Sequence, residues 1–159
     1  MRLLKTHNLN KILFIVLLFS VSTVHAEMMP PTVGTCGFYL QLEQEKQCGP
    51  QGYLKSYGFK YCRKFLYEMN HEFSAKGKVF VQKAGQCLQS ALWNKSDINC
   101  LEIKNQAISS HGPCYYHSGF CQLSFHDKMV IFSTIKKELF QSDFRKQALK
   151  MLKICQHLK

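Results

Sequence analysis

Eight cysteines, Cys36, Cys48, Cys62, Cys87, Cys100, Cys114, Cys121 and Cys155, are the residues of this 159-residue chain best equipped for chemistry. None belongs to a Cys-x-x-Cys pair, so the motif of a thiol oxidoreductase is absent. His111, Cys114, His117 and Cys121 run as His-x2-Cys-x2-His-x3-Cys, and nitrogen and sulfur ligands at such intervals suit tetrahedral zinc. Zinc would require two of eight thiols to stay reduced. An even count in an exported chain instead favours four internal bridges, with His111 and His117 as surface histidines beside two bridge cysteines. No metal site is expected, and spacing alone leaves roughly a hundred pairings open.

Other catalytic arrangements have less support. A nucleophilic cysteine stands apart from the bridges, beside a positioned base, and an even count leaves none over. No Gly-x-Ser-x-Gly elbow frames a serine. The ten acidic residues are scattered among bases with nothing to single out a carboxylate pair, and no Asp-x-Asp-x-Asp-Gly loop is present for calcium. The expectation is a non-enzymatic protein without a cofactor, working through its surface. Two surface features stand out. Asn94-Lys95-Ser96 is an acceptor sequon for a glycan, next to the sole tryptophan, Trp93. Lys136, Lys137, Arg145, Lys146, Lys150, Lys153 and Lys159 gather near the C-terminus as a candidate anion-binding face for sulfated glycan or membrane phosphate.

The compartment is read from the first residues. Arg2, Lys5 and Lys11 precede the apolar run Ile12 to Phe19, and Val24-His25-Ala26 offers small residues where a signal peptidase cuts. Ser20, Ser22, Thr23 and His25 interrupt the segment well before the ~20 apolar residues a membrane span needs. Residues 1–26 are therefore expected to be a signal peptide, 27–35 a flexible arm containing Pro30-Pro31, and 36–159 one helical domain. The protein is expected to be secreted, or exported to the periplasm in a bacterium. Loss of Arg2, Lys5 and Lys11 lowers the formal charge of +11 by three and leaves an excess that attracts anionic partners, fading with salt. Nothing points to nucleic acid.

The elements that must position these residues are helical. Phe59, Cys62, Phe65, Leu66, Met69 and Phe73 recur at steps of three and four, predicting a helix over about 54–71. Ser74 caps a second, with Phe80, Ala84, Cys87, Leu88, Ala91 and Leu92 inward. A third follows Asp97 as cap, with Cys100, Ile103, Ala107 and Ile108 inward, and stops at His111-Gly112-Pro113, beyond which a short helix covers Cys114 to His117. Ser124 to Asp127 is a variant capping box ahead of Met129, Val130, Phe132, Ile135 and Leu139. In the last helix Phe144, Ala148, Met151, Leu152 and Cys155 share the inner face. Strand alternation and internal repeats are not apparent. The fold class is all-α, a disulfide-stapled bundle of five or six short helices.

Around the central cysteines the sequence Tyr61-Cys62-Arg-Lys-Phe-Leu-Tyr67, then Phe73-Ser-Ala-Lys-Gly77-Lys-Val-Phe-Val81 and Cys87-Leu88, resembles the stanniocalcin family. The match extends from about Cys36 to Cys155 through the intervals between Cys100, Cys114 and Cys121 and through Tyr115. The resemblance implies pairing of Cys36 with Cys62, Cys48 with Cys100, Cys87 with Cys114, and Cys121 with Cys155. It also implies a secreted hormone-like protein that binds an extracellular protein, a receptor or protease, since the family comprises glycoprotein hormones of calcium and phosphate balance and inhibitors of pappalysin-type metalloproteinases. Stanniocalcins carry a further cysteine that joins two chains. This chain has no counterpart to it, which puts a disulfide-linked homodimer in doubt. A saposin-like module that binds lipid or membrane is the alternative, motivated by bridged helices and a basic last helix.

Overall fold

The computed structural model describes residues 28–95 and 97–156; the proposed signal peptide, Glu27, Ser96 and residues 157–159 lie outside the described residues. The described residues form six helices and no strand: α1 (Gly37–Lys46), α2 (residues 54–68), α3 (Ala75–Trp93), α4 (Cys100–Ser118), α5 (Phe125–Ile135) and α6 (Ser142–Gln156). Short 3-10 turns, Asn70–Glu72, Phe120–Gln122 and Glu138–Phe140, lead into α3, α5 and α6. α3 runs along α4, α1 packs on the start of α2, and α6 closes on α4.

Helix α1 is an addition to the elements read from the sequence. Its stripe of Phe38, Tyr39 and Leu42 is interrupted by the buried carboxylate Glu43, which hides the periodicity. Glu43 Oε1 accepts the Gly49 N–H at 2.8 Å, and Gln47, at φ +52°, ends the helix in the left-handed region. Helix α2 is not uniform. Leu54–Phe59 and Lys64–Glu68 are wound as π turns on either side of the α-helical Lys60–Arg63. A Cβ added at Gly58 would lie 2.6 Å from the Tyr39 ring, so α1 and α2 meet as closely as they do only because residue 58 has none.

Helix α4 departs from expectation at both ends. Its cap is Asn99, not Asp97: the Asn99 side chain accepts from the N–H groups of Leu101 and Glu102 while Glu102 Oε2 accepts the Asn99 N–H, a reciprocal box. It also passes through Pro113 without stopping and ends at Gly119, at φ +95°. The interior proline costs about 3 kcal/mol locally. Tertiary structure offsets this: the next residue, Cys114, is buried and bonded to Cys87 on α3, and buried Gly112 faces Gln147 of α6. The expected short helix at Cys114 to His117 is the last turn of α4. Two residues assigned to inner faces, Cys100 and Leu152, are exposed, and in α5 Met129 is exposed at 47% while Val130 and Ile131 take the core positions.

The bundle contains a repeat that amino-acid identity conceals. Phe73-Ser74-x-x-Gly77-Lys78-x-Phe80-Val81 and Leu123-Ser124-x-x-Asp127-Lys128-x-Val130-Ile131 each follow a 3-10 turn and open a helix with a serine cap. In each unit the first, fifth, eighth and ninth positions are buried. The two units are clasped by Asp127, which is fully buried. Its Oδ1 accepts the Ser74 N–H at 2.9 Å, and its Oδ2 accepts hydroxyls from Ser74 at 2.7 Å and Ser124 at 2.8 Å. Burial works to raise this carboxyl, but these hydrogen bonds outweigh it and hold the pKa below the ordinary value. Gly77 makes room: a Cβ there would stand 2.5 Å from Asp127 Oδ1.

Two apolar clusters result. One gathers Leu66, Phe73, Phe80, Val81, Phe120, Leu123, Ile131 and Met151; the other gathers Phe38, Tyr39, Leu42, Tyr53, Leu54, Leu92 and Ile103. Residues 28–35, read as an arm, run along the body: the Met29 N–H donates to Gln41, Thr35 O accepts from Gln89, and Gly34 O accepts from Tyr67.

Candidate functional site

The cysteines form four disulfides, Cys36–Cys62, Cys48–Cys100, Cys87–Cys114 and Cys121–Cys155, with Cα–Cα separations of 5.8, 5.6, 5.5 and 5.2 Å. The first ties the start of α1 to α2. The second ties the loop after α1 to the first residue of α4, the third joins α3 to α4, and the fourth fastens the turn before α5 to α6. Of the four residues spaced as zinc ligands, Cys114 and Cys121 have their sulfurs in two different bridges. His111 turns its Nδ1 to Ala107 O at 2.7 Å, and His117 is exposed. Among the described residues no group of three or more His, Cys, Asp or Glu side chains is placed to hold a metal.

Lys136, Lys137, Arg145, Lys146, Lys150 and Lys153 are all exposed, and no described acidic side chain forms an ion pair with any of them. On α6 the periodicity puts Arg145, Lys146, Lys150 and Lys153 on one broad arc opposite Phe144, Met151 and Cys155. The exposed Leu149 falls within the same arc, and the exposed Leu152 borders it on the side of the inner face. Asn94 ends α3 and is exposed, whereas Ser96 of its sequon lies outside the described residues. Trp93 beside it is half-buried, its ring edge-on to Phe38 with centroids 6.1 Å apart.

A feature that sequence reading missed lies between the two apolar clusters. A cavity of about 100 Å³ is lined by Tyr39 and Tyr53 of one cluster and by Leu66, Phe80, Val81 and Ile131 of the other. Tyr57, Tyr61, Gly85, His111, Tyr115, Glu138 and Phe144 complete much of its wall. On its solvent side the half-buried Tyr57 stacks on Phe144, with centroids 5.2 Å apart. Tyr61 donates its hydroxyl to Glu138 Oε1, Gln141 Nε2 donates to Glu138 Oε2 at 3.0 Å and to the Tyr57 hydroxyl at 2.6 Å, and Lys60 Nζ stands 3.9 Å from the same carboxylate. These bonds latch α2 to the turn before α6.

The tyrosine hydrogen bonds among the described residues are those of Tyr57, Tyr61 and Tyr67, so the hydroxyls of Tyr39, Tyr53 and Tyr115 are left to the cavity. Burial raises all three phenols, Tyr115 to about 12, and proximity of the phenols to one another adds to the rise for Tyr39 and Tyr53. They are neutral donors at physiological pH. Burial also lowers His111, in spite of its backbone hydrogen bonds, and with Nδ1 donating to Ala107 the neutral ring leaves Nε2 as an acceptor. The residues come from α1 to α6 and share no motif.

Bridged helices around a compact core, with every described cysteine consumed, define a disulfide-framed all-α module. The chain belongs to the stanniocalcin family, whose family model matches residues 22–158. No curated protein and no solved structure matches it.

Proposed function

We propose that this chain is a secreted, non-enzymatic, hormone-like protein that acts by binding an extracellular protein through the outer surface of its bridged body. The observation that carries this reading is membership of the stanniocalcin family over residues 22–158. The four disulfides support it, because such a frame persists in oxidising compartments. No helix among the described residues is long and apolar enough to cross a membrane, which is consistent with release of the chain after cleavage. N-terminal sequencing of the exported protein is expected to begin at Glu27. In a host that glycosylates asparagine, Asn94 is expected to carry the glycan, removed in an Asn94→Gln variant.

The partner class follows from the family: a receptor or a metalloproteinase of the pappalysin type. Titration of the oxidised protein into such a proteinase is expected to give saturable, stoichiometric inhibition. Absence of both binding and inhibition against receptor preparations and proteinases of that type would remove this reading. A second reading is favoured by the unpaired basic arc with Leu149 inside it and Leu152 at its border: attachment to an anionic membrane or glycan. Flotation with anionic liposomes at low and high salt separates the two. Strong, salt-sensitive binding supports the membrane reading, and none leaves the protein-binding one.

A further inference from the structure

The cavity between the two clusters is larger than a packing defect. One water needs roughly 10 to 15 Å³ of such space, and an engineered cavity of about 150 Å³ takes benzene. At about 100 Å³ this one exceeds the space of a few waters and is smaller than the benzene cavity, so a single small ring is the most it takes, with side chains of its aromatic and aliphatic wall giving way by a little. An entirely apolar guest would leave three phenol donors and one imidazole acceptor without partners, at a cost of about 1 to 3 kcal/mol for each group sealed from water. A carboxylate is disfavoured for a different reason. No cationic side chain lines the cavity, the three phenols are neutral, and Glu138 stands in the wall.

The chemistry that satisfies the wall is therefore a flat, uncharged ring with one hydroxyl. Such a group accepts from a tyrosine and donates to His111 Nε2, while its ring replaces water against Phe80, Val81 and Ile131. We propose that this cavity is a binding site for a small neutral phenol-like molecule, reached past the Tyr57–Phe144 stack and held by the Tyr39, Tyr53, Tyr115 and His111 side chains. The latch of Tyr61, Glu138 and Gln141 gives the site a door between α2 and α6. This site is independent of the outer surface through which the protein partner is bound.

The test uses phenol as probe on the purified oxidised protein, with toluene and benzoate as controls, read by saturation-transfer NMR and by thermal unfolding. Phenol is expected to bind saturably and raise the unfolding temperature, toluene to bind more weakly, and benzoate not to bind. Tyr115→Phe should weaken phenol about fivefold and leave toluene unchanged. Gly85→Leu fills the space, because a Cβ there meets no atom within 4 Å and leucine favours the helix. It should abolish binding while the circular dichroism and four disulfides are retained. Failure of phenol to saturate, equal binding of phenol and toluene, or phenol binding unaffected by Gly85→Leu overturns the proposal.

Discussion

At the scale of single residues, Asp127 governs how the two halves of the bundle meet. Gly77→Ala puts a methyl 2.5 Å from Asp127 Oδ1 and is expected to cost about 2 kcal/mol in denaturant unfolding. The cost should shrink in the Asp127→Ala background, which removes the closest clash and leaves the 2.9 Å approach to the Phe73 ring, and a double-mutant cycle reads that coupling. A pH dependence follows from the same carboxyl. Its folded pKa is depressed, so the unfolded state binds the proton more readily, and the stabilisation is complete above about pH 5 and fades as pH falls below about 4 towards the folded pKa. Asp127→Asn should flatten that acid limb in chemical denaturation followed between pH 6 and 2.5. Neither serine cap nor glycine alone foretells the clasp, though Ser74 and Ser124 were both legible as caps from their place before apolar runs.

At the scale of elements, α6 depends on one covalent tie and one latch. Cys121→Ser frees Cys155, which should become reactive to thiol reagents, and lowers stability by about 2 to 5 kcal/mol, measured by non-reducing mass mapping and denaturant melts. An unreactive Cys155 in that variant would contradict the bond. Helices with a plain stripe, α3 and the inner face of α6 at Phe144, Met151 and Cys155, were readable from periodicity. Helix α1 was not, because Glu43 is buried where the pattern wants an apolar residue, and α4 was cut short on paper by Pro113, which local rules treat as a stop while a disulfide on the next residue holds it in place. The cavity belongs to this same class. Its phenols come from separate helices, so its existence is a property of packing and no stretch of sequence announces it.

At the scale of the whole molecule, charge and frame are distributed unequally. The basic arc sits on α6, near one end of the chain, whereas three of the four bridges lie before Cys121. The intervals 36–62, 48–100 and 87–114 overlap in turn, and 121–155 overlaps with none of them. A protease nick inside any interval leaves both fragments on one covalent thread. A nick between Cys114 and Cys121, where Gly119 turns the chain at φ +95°, does not: non-reducing electrophoresis in denaturant should then resolve two species, the smaller carrying α5, α6 and the basic arc. A single scission at that turn would thus detach the cationic end of the protein as a separate, internally bridged peptide, able to travel without the body that made it.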